Sequence, residues 1–309
     1  MKKATILYHG VDSDGMGAYA ICRKSLERDY EITAIPYSYG NEEPELETLL
    51  GQDLVVITDV CLPAETMKAL YFETRSRKEF DCIWIDHHKT SLEASVSGGW
   101  SLMHGYRQPS GKAACALAWD YFHGMTSRVP RTVQLLSAYD IHNTQDIHND
   151  WETEIMPFQY GIREAYDLRA EDFVKDFDAM MYDDEFVAGL IRDGGRIYRY
   201  EKKTGGKGVE NWGFPVTVAG EYKGLCCLTN RFGSLAFEDR MRREGQEIAV
   251  CANRIDADHY KVSMFAPEPC TLDLGRYMSV NYGGGGHRGA AGCTLTFEQF
   301  KRLLTEAAI

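Results

Sequence analysis

Asp86, His87 and His88 follow directly on the apolar run Cys82-Ile83-Trp84-Ile85. Carboxylate and imidazole are good ligands for divalent cations. Residues just past the carboxyl end of a buried parallel strand open into the crevice where α/β sheets bind their ligands. The same arrangement recurs along the chain. Ala4-Thr5-Ile6-Leu7-Tyr8 runs into His9-Gly10-Val11-Asp12-Ser13-Asp14-Gly15, and Leu54-Val55-Val56-Ile57-Thr58 runs into Asp59. A helical pattern from Arg131 through Val133, Leu135, Leu136 and Ala138 ends at Asp140. Any single aspartate here could be a helix cap or a turn residue. His9, Asp12, Asp14, Asp59, His87 and Asp140 together point to a metal-dependent enzyme.

The set contains no thiolate, which favours manganese or magnesium over a structural zinc. Six ligands exceed what one catalytic ion with open water positions requires. Two ions therefore fit better, with a central carboxylate such as Asp59 bridging them about 4 Å apart, generating a hydroxide and clamping a phosphoryl group. A second candidate site is Gly283-Gly284-Gly285-Gly286-His287-Arg288-Gly289-Ala290-Ala291-Gly292. Its glycines let successive N–H groups turn toward an anion, and His287 and Arg288 add charge-assisted donors. It has neither the terminal Lys-Ser/Thr of a P-loop nor the glycine spacing of a dinucleotide fingerprint.

These residues need elements to hold them. Alternating buried runs and helical patterns predict strands over 4–8, 31–37, 54–58 and 81–85 with an edge strand at 100–106. Helices are expected over 15–28, 43–50, 63–77, 110–122, 130–139, 152–166 and 171–200. That alternation is the mark of a parallel sheet wrapped by helices. The stretch Lys202-Lys203-Thr204-Gly205-Gly206-Lys207-Gly208 reads as a linker. Beyond it, strands over 215–219, 224–228, 247–253 and 260–265 and helices over 234–243 and 271–280 form a smaller mixed unit. The expected organisation is an α/β protein with a Rossmann-like parallel-sheet domain over 1–200, a smaller α/β domain over 201–309 and an active-site cleft between them.

With 309 residues, 44% hydrophobic and 26% charged, the composition is that of a globular protein. A formal charge of −12 argues against broad docking on long nucleic acid, which requires neutralised phosphates. Nine cysteines form no C-x-x-C pair and several lie in apolar runs, so they are expected to be reduced and structural. No stretch approaches the roughly 20 apolar residues that cross a bilayer, and the N-terminal apolar run is too short for a signal peptide. A cytoplasmic protein without membrane association is expected.

His9-x-x-Asp12-x-Asp14-Gly15, Asp59, Asp86-His87-His88 and Asp140 resemble the four ordered motifs of the DHH phosphoesterase superfamily. The segment from Gly283 to Gly292 resembles the signature of its DHH-associated C-terminal domain. The resemblance spans nearly the whole chain. It implies one ion held by His9, Asp12 and Asp59 and another by Asp14, Asp59, His87 and Asp140, with Mn2+ favoured and Mg2+ as the other choice. It implies that His88 faces the scissile phosphate and that Asp86 orients its neighbours. Gly284, Gly285, Gly286, His287 and Arg288 would grip a terminal phosphate or the backbone of a short nucleotide; Arg231, placed after a strand of the second domain, is a further candidate for phosphate binding. The spacing of His9 and Asp12 differs from several subgroups, and Phe265 in Ser263-Met264-Phe265-Ala266 stands where relatives acting on short RNA carry an arginine. That substitution implies either a lost phosphate contact or a ring that stacks on a base.

The implied activity is hydrolysis of phosphodiester bonds in short oligonucleotides by a metal-activated water, as in nano-RNases, oligoribonucleases and small exonucleases of this superfamily. Cleavage of cyclic dinucleotides or of 3'-phosphoadenosine 5'-phosphate is the next reading, then pyrophosphate or polyphosphate hydrolysis, and last a nucleotide sensor without catalysis. The expected partner is a short oligonucleotide or small nucleotide, not a long duplex, and a homodimer is compatible with all of these. Several other residues carry less weight: His142 and His148 after Asp140, Ser110-Gly111-Lys112 as an N-cap or anion contact, and Asn230-Arg231 after a strand. His104, His123 and His259 belong to no constellation.

Overall fold

The carboxyl ends of three parallel strands define the architecture of the first half. The computed structural model describes residues 1–39, 41–166, 171–229, 233–267 and 270–304. The chain divides into two compact units, Met1–Tyr198 and Arg199–Ile309. In the first, β1 (Lys2–His9), β2 (Tyr30–Tyr37), β3 (Leu54–Thr58) and β4 (Asp81–Ile85) pair in parallel in the order β2-β1-β3-β4. The chain leaves β1 toward β2 and then returns to the other side of β1 to form β3. Strand order therefore reverses between β1 and β3, and an open α/β sheet carries its ligand crevice at such a point.

Alternating side chains explain why the strands read as continuous apolar runs. Ala4, Ile6, Tyr8, Leu54 and Val56 pack on one face under α1 (Ser13–Leu26), α5 (Ala114–His123) and α6 (Arg131–Asp140). Leu7, Val55, Ile57 and Trp84 pack on the other against Met67 and Leu70 of α3 (Ala64–Ser76). Both faces are covered, so neither can be polar. The short helix α2 (Leu46–Leu50) and α4 (Lys89–Gly98) complete this side. A π-helical turn, Trp151–Ile155, leads into α7 (Met156–Ala165), followed by α8 (Glu171–Tyr182) and α9 (Asp184–Trp212).

The second unit holds a six-stranded mixed sheet in the order β5-β6-β7-β8-β10-β9. Its strands are β5 (Phe214–Val218), β6 (Tyr222–Cys227), β7 (Ile248–Arg254), β8 (His259–Phe265), β9 (Gly285–His287) and β10 (Ala290–Thr296). Helices α10 (Glu238–Glu244), α11 (Leu274–Tyr282) and α12 (Phe297–Leu303) accompany them. The fold class is thus the expected one, a parallel-sheet α/β unit and a smaller mixed α/β unit.

Several element boundaries differ from expectation. The stretch expected as a linker, 202–208, is helical throughout as part of α9, and the helix expected over 171–200 is two helices, α8 and α9. The expected edge strand over 100–106 is reduced to isolated bridges, Ile83 with His104 and Asp86 with Arg107. The helix expected from Ser110 starts at Ala114, and α4, β9, β10 and α12 were not anticipated. Among the described residues no helix is long and apolar enough to cross a membrane.

Gly15 shows how closely α1 approaches β1. A Cβ there would lie 2.1 Å from the His9 carbonyl oxygen and 2.7 Å from the His9 Cβ. Both obstacles belong to the strand end itself, so relief requires moving the helix start that carries Asp12 and Asp14. Gly15→Ala should therefore lower unfolding stability by about 1–3 kcal/mol, as overpacking does. Chemical denaturation measures it, and a stability equal to the parent would show that the strand end and helix start are not so tightly juxtaposed.

Candidate metal centre

Each strand end delivers one part of the site. β1 ends at His9, Asp59 follows β3, and Asp86-His87-His88 follows β4. Asp12 is the N-cap of α1 and accepts the Gly15 N–H at 2.9 Å through Oδ1, which leaves Oδ2 at 3.0 Å from His9 Nδ1. Asp59 lies at the centre: its Oδ2 is 3.6 Å from His9 Nδ1 and its Oδ1 is 3.3 Å from His87 Nε2. His87 Nε2 is also 3.2 Å from Asp140 Oδ2 and 4.0 Å from Asp14 Oδ2. Asp59 is 1% exposed and has a left-handed backbone with φ of 60°. Its N–H donates to the Ile85 carbonyl at 2.9 Å, tying the ends of β3 and β4 together in this conformation. Such a backbone costs on the order of 1 kcal/mol and persists where the surroundings demand it.

Asp14 has a second task that its spacing in the sequence does not announce. Its Oδ2 accepts the Ala114 N–H at 2.8 Å and its Oδ1 the Cys115 N–H at 2.9 Å. The first turn of α5 has no side-chain cap of its own residue at Ala113. A carboxylate supplied from about 100 residues away replaces that cap and sits at the positive end of the helix dipole. Ser110 is therefore not the N-cap of this helix, and Lys112 pairs with the buried Asp120.

Asp86 is fully buried, and its Oδ1 gathers the N–H of His87 at 2.8 Å, the N–H of His88 at 3.1 Å and His88 Nδ1 at 2.8 Å. Three contacts on one oxygen fix both the turn and the His88 ring. His88 is at the same time the N-cap residue of α4, whose first turn has no side-chain cap.

The ligand atoms fall into three groups, within each of which they lie no more than 4.8 Å apart: His9, Asp12 and Asp59; Asp14, His87 and Asp140; and Asp59, His87 and His88. Asp59 belongs to the first and third, and His87 to the second and third. The donor set is oxygen and imidazole only, which suits a hard or borderline divalent cation. Two of the atoms, His9 Nδ1 and Asp59 Oδ1, are buried and in no hydrogen-bonding geometry despite the short carboxylate–imidazole distances. Buried polar atoms are normally satisfied, and divalent cations would satisfy such atoms. The residues present fit divalent cations.

Electrostatics show what the cluster does without cations. Burial raises Asp14 well above the ordinary carboxylate value, and Asp59 and Asp140 push it further. Burial and the neighbouring Asp59 likewise raise Asp140 to about 7. Burial would lower His9, but Asp12 and Asp59 outweigh it and hold the imidazole up at about 10. Burial would also lower His87, which Asp59, Asp14 and Asp140 hold at about 9. Asp59 is the exception: despite burial, His87 and His9 lower it.

Other expected residues lie elsewhere. Gly283 caps α11 in a left-handed conformation, and Gly285 to Gly292 lie in the hairpin of β9 and β10 rather than in an open loop, with His287 opposite Ala290 and Gly286 opposite Ala291. Gly286, at φ of 142°, has the Ala290 oxygen 2.4 Å from where a Cβ would be. His287 and Arg288 are exposed at its turn. Arg231 and Asn230 lie outside the described residues. Phe265 is half-buried and packs against the Leu225 and Phe237 cluster. His142 stands edge-on to Trp151 at 4.9 Å, His104 pairs with Asp81, His123 stacks on Trp119 and His259 pairs with Asp256. His148 donates its N–H to Asp146.

Two features at the site were not anticipated. Ser13 Oγ donates to the fully buried Gln159 of α7 at 2.7 Å, bracing the turn between Asp12 and Asp14. Tyr39 follows β2, and its ring centroid lies 6.4 Å from those of His9 and His88. The rule that pointed to His9, Asp59 and Asp86 applies equally to the end of β2, so the sequence did carry a signal for Tyr39.

The sequence matches no protein-family model and no curated protein. The structure does have counterparts among solved structures. A pGpG-specific phosphodiesterase from Vibrio cholerae is similar over 97% of this chain and 96% of its own, at 14% identity and a TM-score of 0.53. The DHH domain of a member of a family of ribosomal proteins is similar over 99% of this chain and 88% of its own, at 14% identity and a TM-score of 0.52. An exopolyphosphatase-related protein from Bacteroides fragilis covers 98% of this chain with 92% of its own, at 13% identity and a TM-score of 0.47.

Two outcomes follow from the geometry. Asp140, His9 and His87 are raised groups, so the folded state holds their protons to higher pH than the unfolded chain does. Their stabilisation is complete below the unfolded values, 3.8 for the carboxyl and 6.5 for the imidazoles, and is lost as pH rises through about 7, 10 and 9 respectively. The melting temperature in EDTA should fall between about pH 7 and 9, and Mn2+ should lessen the fall while releasing protons. A melting temperature that is flat or rising over that window in EDTA would mean the carboxylates do not hold the imidazoles charged. Asp86→Asn, which keeps an acceptor but removes the charge, should weaken cation binding or turnover about 10- to 100-fold, read by calorimetry with Mn2+.

Proposed function

Because the chain has the DHH fold, we propose that it is a divalent-cation-dependent phosphoesterase that hydrolyses phosphodiester bonds in short oligonucleotides. The observation that carries the reading is the convergence of His9, Asp12, Asp14, Asp59, His87 and Asp140 on one sheet edge, with Asp59 between two ligand groups. His9, Asp12 and Asp59 would hold one cation, and Asp14, Asp59, His87 and Asp140 a second, with Mn2+ preferred. When bound, such ions neutralise phosphate charge and make a water acidic enough to attack phosphorus.

The protein's own groups do the rest. The first N–H groups of α4, which no side chain caps, receive phosphate oxygens at the positive end of the helix. His88, turned by Asp86 so that Nδ1 is engaged, exchanges a proton with the leaving oxygen through Nε2. Gly285 and Gly286 lie in β9 with Gly284 just before it, and His287 and Arg288, exposed at the end of β9 and at the β9–β10 turn, would supply donors for a substrate phosphate. The reading of short substrates is supported by the charge of −12, which opposes binding along a long strand. It also agrees with the structural neighbour described as pGpG-specific, since pGpG is a dinucleotide.

The test is release of mononucleotides from labelled dinucleotides and five-mers with Mn2+, alongside cyclic dinucleotides, 3'-phosphoadenosine 5'-phosphate and pyrophosphate. Linear dinucleotides should turn over fastest. Asp59→Asn should reduce that rate on the order of a thousandfold, the equivalent of several kcal/mol of transition-state stabilisation. Binding of dinucleotide without turnover in the unmodified protein would defeat the enzyme reading. Faster hydrolysis of pyrophosphate would defeat the substrate assignment.

A further inference from the structure

We infer that Tyr39 forms the aromatic wall against which a nucleobase of the substrate packs at the edge of the cation-binding cluster. The inference rests on the phosphodiesterase reading and adds a specificity-determining residue to it.

The hydroxyl end of Tyr39 is anchored. It accepts the Cys61 N–H at 3.2 Å and lies 3.5 Å from Ser91 Oγ in the first turn of α4. The residue is nonetheless 53% exposed. Its ring stands nearly perpendicular to the His88 ring, at 78°, and tilted by 57° to that of His9. An aromatic side chain tied down by its polar end presents a rigid apolar surface with little rotamer freedom left to lose on binding. Among the described residues, other exposed aromatics such as Phe72, Tyr182 and Trp212 make no ring contact with a histidine of the site. A phosphate held by the ligands of this edge carries its nucleoside outward past His9 and His88, which is where the Tyr39 ring lies. Every base has a π-face, so the wall favours substrates that bear a base without selecting among bases.

The experiment compares a linear dinucleotide with its abasic counterpart, a phosphodiester of two sugars without bases, on the full chain with Mn2+. Stacking predicts that the unmodified protein has a KM about tenfold lower for the base-bearing substrate. Tyr39→Leu should abolish that preference through KM rather than kcat, and Tyr39→Phe should restore most of it. A Tyr39→Leu protein that retains the preference would overturn the inference while leaving the enzyme reading intact. Equal loss of kcat on both substrates with unchanged KM would also overturn it, assigning the ring to His88 positioning instead. If the unmodified protein turns over neither diester, the enzyme reading fails. Equilibrium binding of the two compounds to the unmodified and Tyr39→Leu proteins then decides the wall, and equal affinities would reject it. A preserved Mn2+-dependent rise in melting temperature checks that each variant is folded.

Discussion

Mutual repulsion among Asp12, Asp14, Asp59 and Asp140 is the constraint around which the first unit is organised. Asp14 and Asp59 are each 1% exposed, so water does little to screen them. Charges so close in a poorly solvated site cannot all persist without positive charge among them. The carboxylates hold the His9 and His87 imidazoles up at about 10 and about 9, and burial together with the neighbouring Asp59 raises Asp14 and Asp140. A divalent cation would place two positive charges among them. The strained backbone of Asp59 is consistent with that account: the strand end is held in a costly conformation by its bond to Ile85, and the consequence is a carboxylate facing both imidazoles.

The fold can sustain this only because the parallel sheet is covered on both faces. The buried parts of β1, β3 and β4 are apolar apart from Thr5 and Thr58, and the ionisable residues sit at or beyond the strand ends. Reversal of strand order between β1 and β3 leaves space at that edge, and Gly15 lets α1 start within contact of the His9 backbone. Packing thus determines the position of the charged groups, and the charged groups determine the chemistry.

The parallel strands and the ligand residues were legible in the sequence for the same reason. Buried runs such as Cys82-Ile83-Trp84-Ile85 have few alternative explanations, and their ends announce themselves by an abrupt change to Asp and His. The unreadable parts depend on contacts between distant segments. α4 is rich in serine and offers Leu92 as its main apolar anchor, so no apolar period marks it. β10 begins Ala290-Ala291-Gly292, a weak strand former that is stabilised by pairing with β8 and β9. In α9 the glycines suggested a linker, yet glycine is also what a close helix crossing requires. At Gly194 a Cβ would lie 2.0 Å from the Pro157 oxygen and 2.2 Å from the Gly161 N, and at Gly161 it would lie 2.1 Å from the Leu190 oxygen. Gly205 and Gly208 are buried as well. A glycine reports that something comes near, and only the fold says whether that is solvent or a neighbouring backbone.

Asp14 shows most directly how the site and its scaffold share the same atoms. Both of its oxygens accept N–H groups from the start of α5, so any bond to a cation must use lone pairs that those contacts leave over. The carboxylate therefore cannot swing to follow a cation, and its position is set by α5 and by the α1 turn that Ser13 and Gln159 brace. Asp86 is constrained in the same way, with three contacts on one oxygen fixing the His87–His88 turn. Carboxylates held by backbone amides in this manner are arranged before anything binds. The cost of gathering like charges is then met in folding, through the neighbouring imidazoles and helix ends, before any ligand arrives.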